Sequence, residues 1–97
     1  MTEAILDKIR NDILGELQLK FENVRITEVN LAPDVDYEGD EILRIEVIFE
    51  GTPRDIDPGL LTRAARSIRP KLLESDLFAF PLMTFTSAED AKLRLGT

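Results

Sequence analysis

The sequence predicts a single α+β domain over residues 1–97, in the order α-β-β-α-β-α, with a three-stranded mixed sheet and two main helices on one of its faces. Three observations carry that reading. Apolar residues recur at every fourth position from Ile5 to Phe21 and at helical spacing again from Leu60 to Leu72. From Leu43 to Phe49 an apolar residue stands at every second position, Leu43, Ile45, Val47 and Phe49. Ninety-seven residues without a cysteine still suffice to bury one core without a covalent staple.

The first helix is expected over residues 3–21. Ile5, Ile9, Ile13, Leu17 and Phe21 form its stripe, widened by Leu6 and Leu14. Thr2 suits the N-cap, and Glu3 suits the positive end of the helix dipole. Gly15 weakens the helix interior, either to let the sheet approach or for no structural reason.

A strand is expected over 24–31. Val24 and Ile26 share one face, whereas Val29 and Leu31 fall on the other. That change of phase predicts a bulge near Thr27-Glu28. The second strand, 42–50, points Leu43, Ile45, Val47 and Phe49 one way, with Ile42, Arg44, Glu46 and Ile48 on the other side. The two should pair antiparallel across a 32–41 loop, and Gly51-Thr52-Pro53 ends the second.

Asp57-Pro58 opens the second helix as N-cap and first helical residue. Leu60, Leu61, Ala64, Ala65, Ile68 and Leu72 make its buried stripe, and Pro70 predicts a kink or restart. Residues 80–86 read as a third strand with Pro81 near its beginning. Around it, Phe78, Phe80, Met83 and Phe85 read as core. Ser87 and Asp90 resemble a capping box for a short helix, 88–95, closed by Gly96. Right-handed crossover places strand three parallel to one of the first two.

Function is constrained first by what is missing. The chain has no His, Cys or Trp, which removes the commonest general base, the soft metal ligands and the activated thiol. A non-enzymatic role without a cofactor is therefore expected. The net charge of −7 repels phosphate backbones, disfavours nucleic acid and favours a basic protein partner or plain solubility. No apolar run reaches the length of a membrane span, so no membrane partner is expected. Met1-Thr2-Glu3-Ala4 shows no basic region ahead of an apolar run, so no signal peptide is read there and the cytoplasm is the expected location.

Three constellations are candidates for function. With both main helices on one sheet face, the other face carries Ile42, Arg44, Glu46 and Ile48, a candidate surface for homodimerisation or a partner, with the C-terminal helix as the alternative dimer surface. Tyr37, the chain's one tyrosine, stands in the neighbouring loop as a candidate contact anchor. The expected role is that of a small acidic interaction protein, self-associating and able to recognise a basic protein, in the manner of an antitoxin or adaptor.

The second is acidic. Asp34, Asp36, Glu38 and Asp40 are clustered, and Asp34-x-Asp36-x-Glu38-Gly39 resembles the opening of an EF-hand calcium loop. The twelfth position, where a bidentate Glu belongs, is Ile45, and the flanks read as strands. A divalent-cation or small-ligand site on the 34–41 loop is the alternative function.

The third is basic. Arg63, Arg66 and Arg69 lie on the polar side of the second helix, where they suit an anion or an acidic partner. The α-β-β-α-β order resembles KH-type RNA-binding modules, which grip the nucleic-acid backbone with a Gly-x-x-Gly loop. No Gly-x-x-Gly occurs here, so a KH-like nucleic-acid module on those arginines rests on architecture alone.

Overall fold

A computed structural model describes residues 2–21, 24–52, 54, 56–75 and 77–95, with the side chains of residues 60, 61 and 95 left aside. Helix α1 spans Glu3–Lys20, and its Thr2 cap accepts from the Ile5 N–H at 3.3 Å. Ile9, Ile13 and Leu17 are buried along its stripe. Gly15 faces away from the sheet, and a methyl group there would meet nothing within 4 Å.

Strand β1, Arg25–Val35, pairs antiparallel with β2, Glu41–Glu50, and the register shifts between Ile26 and Glu28. The bulge restores the phase. Ile26 pairs with Phe49, Val29 with Val47 and Leu31 with Ile45, so the buried Ile26 and Val29 and the half-buried Leu31 all serve the core. β1 runs four residues beyond the expected strand, because Ala32 to Val35 keep pairing with Arg44 to Glu41. Pro33 is tolerated there because β1 lies at the edge of the sheet. The loop shrinks to a turn at 36–40, in which Gly39 adopts φ 87°, a conformation costly to a side chain.

Helix α2, Pro58–Glu74, starts on Asp57, whose Oδ1 accepts from the Gly59 N–H at 2.9 Å. It passes through Pro70 as one helix rather than restarting. Pro70 is exposed, so the carbonyl left without its N–H partner lies on the solvent side. Ala64, Ile68 and Leu72 are buried as expected. The side chains of Leu60 and Leu61, like Pro53 and Gly96, lie outside the described residues.

Strand β3, Phe80–Ser87, pairs parallel with β2, giving the order β1-β2-β3. The sheet is thus mixed, with β2 at its centre. Helix α3, Ala88–Leu95, begins where the Ser87 Oγ accepts from the Asp90 N–H at 3.1 Å.

The core lies between the sheet and the α1/α2 pair. Leu43, Ile45, Val47 and Phe49 are at most 1% exposed and meet Ile13, Leu17, Ile68 and Leu72. Phe21, at the end of α1, tilts against Phe85 of β3 with ring centroids 5.8 Å apart. The expected aromatic core around β3 is only half right. Met83 and Phe85 pack partly buried against the core, whereas Phe78 and Phe80 are exposed, Phe80 because it shares the opposite sheet face with its neighbour Ile42.

α3 takes a place that periodicity alone does not assign. It packs against β2 and β3 on the face opposite the two long helices, where Ile48 and Ala91 are buried apart from the main core. No described helix is long and apolar enough to cross a membrane.

Candidate functional site

The face of the sheet expected to be open is partly closed by the chain itself. Ile42 and Ile48 are 5% and 6% exposed, so the apolar half of that expected surface is spent inside the molecule. Its charged half is spent on ion pairs. The Arg44 Nε donates to the Asp34 Oδ2 at 3.1 Å, across the strand pair. Glu46 receives both guanidinium arms of Arg94 from α3, at 2.7 and 3.0 Å. It also accepts from the Thr86 hydroxyl at 3.2 Å and the Asn30 amide at 3.4 Å.

These bonds, Arg94 first among them, hold the Glu46 carboxyl well below its ordinary range, at about 2. The Val35 N–H and then the Arg44 guanidinium lower Asp34 in the same direction. Both carboxylates are therefore fixed anions that orient side chains. A proton-transfer group would sit nearer neutrality.

Besides Leu19, Val35 and Leu73 on other elements, exposed apolar side chains stand on and beside β3 and on the helix after it. Phe80 and Leu82 stand 54% and 39% exposed on the same face as Arg44, and Phe78 and Leu93 are exposed nearby in sequence. The alternation of residues 80–86 held the signal for this exposure, because it puts Phe80 and Leu82 opposite in phase to Met83 and Phe85.

The acidic turn is organised by its own backbone. Asp36 Oδ1 accepts from the N–H groups of Glu38 and Asp40, both at 2.9 Å, while Asp34 is committed to Arg44. The acids therefore diverge, and among the described residues no three come together in a group able to hold a metal ion. Tyr37 does not fold back on the hairpin but stands 97% exposed at its tip.

Below the turn lies a groove of about 690 Å³ between the start of α1, the hairpin and the end of α2. Ile5, Pro33, Ile42 and Leu77 give it an apolar floor, and Asp34 and Glu41 stand at its rim. The Ser75 hydroxyl beside it is enclosed without a hydrogen-bond partner among the described residues.

The three arginines of α2 are all exposed but do not form one anion cradle. Arg63 lies 3.9 Å from the capping Asp57, and Arg69 instead reaches the β3 edge, its guanidinium 5.9 Å from the centre of the Phe80 ring.

Comparison of the chain with protein-family models, curated proteins and solved structures found no match.

Proposed function

We propose that this chain is a small acidic interaction protein of the cytoplasm that acts without catalysis and binds a second copy of itself. The observation that carries the reading is the exposed apolar set Phe78, Phe80, Leu82 and Leu93, gathered in one stretch of an otherwise highly charged chain. Its lack of His and Cys supports a binding role over a chemical one. The acidic hairpin tip with the protruding Tyr37 suits a basic protein partner, in an antitoxin- or adaptor-like role. Sedimentation velocity over a dilution series tests self-association: a dimer that dissociates on dilution is expected, and one mass of 11.0 kDa throughout overturns it.

One observation favours a second reading. The groove under the hairpin has the volume of a small-ligand site, an apolar floor and carboxylates at its mouth. It suits a ligand with an apolar body and an amine head. Calorimetry with an alkylamine tests this, with saturable heat expected and none overturning it.

A further inference from the structure

The two edges of the sheet are treated differently. At β1 the edge is blunted in several ways. It carries the bulge, Pro33, and the charged Arg25, Glu28 and Asp34. Helix α1 also lends it side chains: Gln18 accepts from the Ile26 N–H at 3.1 Å and donates to the Val24 carbonyl at 3.4 Å, and Arg10 donates to the Val29 carbonyl at 3.1 Å.

None of these devices protects the main run of β3. Its eight residues, Phe-Pro-Leu-Met-Thr-Phe-Thr-Ser, hold no charge, and Pro81 sits near one end. The register with β2 is unbroken from Phe80 to Ser87. Among the described residues no side chain hydrogen-bonds its backbone along the outer edge as Gln18 and Arg10 do for β1. Both faces of the strand are also incompletely covered. Met83 and Phe85 on the core side are only partly buried, while their β2 neighbours Ile45 and Val47 are at most 1% exposed. Phe80 and Leu82 on the other side are exposed.

Charge decides what fits this edge. A molecule of net charge −7 repels its own copy wherever acids meet acids, and β3 is the strand without any. Its ends are of opposite sign. Arg69 lies over Phe80 at the start, and Glu89 and Asp90 open α3 just past Ser87. In an antiparallel pairing the start of one strand lies beside the end of the other. Two copies related by a two-fold axis would thus place each Arg69 near the other copy's Glu89 and Asp90.

We propose that the outer edge of β3 pairs antiparallel with β3 of a second copy, joining the two sheets into one of six strands. This rests on the self-association proposed above and assigns its site. Residues facing each other across such a pair must point to the same side of the sheet, so a residue lies on the two-fold axis, and the fullest overlap of Phe80–Ser87 with its copy makes that residue Met83 or Thr84.

The chain has no cysteine, so single introduced cysteines report the pairing directly. Residues meeting across the axis have Cα atoms about 4.5–5.5 Å apart, within the range a disulfide spans. Met83→Cys and Thr84→Cys are oxidised separately, with Ala32→Cys on exposed β1 as the comparison. One of the two β3 variants is expected to run mainly as a covalent dimer, and Ala32→Cys as a monomer. Thr84→Glu, which sets two carboxylates across the axis, is expected to weaken the dimer of the otherwise unmodified chain several-fold. A dimeric protein in which neither β3 cysteine crosslinks more than Ala32→Cys, and Thr84→Glu leaves the mass unchanged, overturns the β3 assignment alone. A wild-type chain that stays monomeric overturns it together with self-association.

Discussion

Arg94 grips Glu46 with both arms of its guanidinium, at 2.7 and 3.0 Å, across 48 positions of sequence. The pair fastens α3 to the back of the central strand and turns a two-layer fold into one with partial cover on both sheet faces.

The pair has a pH signature. The folded-state Glu46 carboxyl titrates at about 2 against an ordinary 4.5. A depressed carboxyl contributes stability that is full above its unfolded value and is lost as pH falls through its folded value. With Arg94 half exposed, screening limits the contribution to about 1 kcal/mol. Glu46→Gln is expected to lower stability by that amount at neutral pH. It should also flatten the decline between pH 4.5 and about 2, as measured by urea unfolding at stepped pH.

The start of α3 depends on Ser87, whose hydroxyl caps the Asp90 N–H. Ser87→Ala is expected to cost about 1 kcal/mol, and amide exchange should quicken in 88–95 while the β2 amides stay protected.

Leu17 is fully buried where α1 meets the sheet. Leu17→Ala removes side-chain volume that its neighbours only partly refill, and a loss of about 2–5 kcal/mol is expected in chemical unfolding. The same experiment on Gly15→Ala should show the reverse sign, a gain of about 0.5–1 kcal/mol, because the new methyl group meets open space.

The acidic turn predicts indifference to divalent cations. Asp36 is occupied by two backbone N–H groups and Asp34 by Arg44. Calcium or magnesium at millimolar concentration should leave the melting temperature unchanged and release no saturable heat; a saturable isotherm would restore the cation reading.

How much was legible in the sequence follows from which interactions are local. The stripes of α1 and α2, the alternation of β2, the bulge at Thr27 and the caps at Thr2, Asp57 and Ser87 all depend on residues a few positions apart, and periodicity finds them. The length of β1 does not, because Pro33 and Asp34 look like loop residues until β2 supplies their ladder partners. The fate of the second sheet face was hidden for the same reason. Ile48 looks like a surface residue until α3 is placed over that face, Ile42 until Ile5, Pro33 and Leu77 close around its end of β2, and nothing near Arg94 in sequence points to Glu46. Strand phase turns Phe80 away from Met83 and Phe85, although its aromatic character alone suggests the core.

Self-association is the property proposed for this chain on which the rest depends. Native mass spectrometry of the unmodified protein, sprayed from a dilution series in the micromolar range, tests it most directly. A species of twice 11.0 kDa whose share falls on dilution is expected. A spectrum holding only the 11.0 kDa chain at every concentration contradicts it.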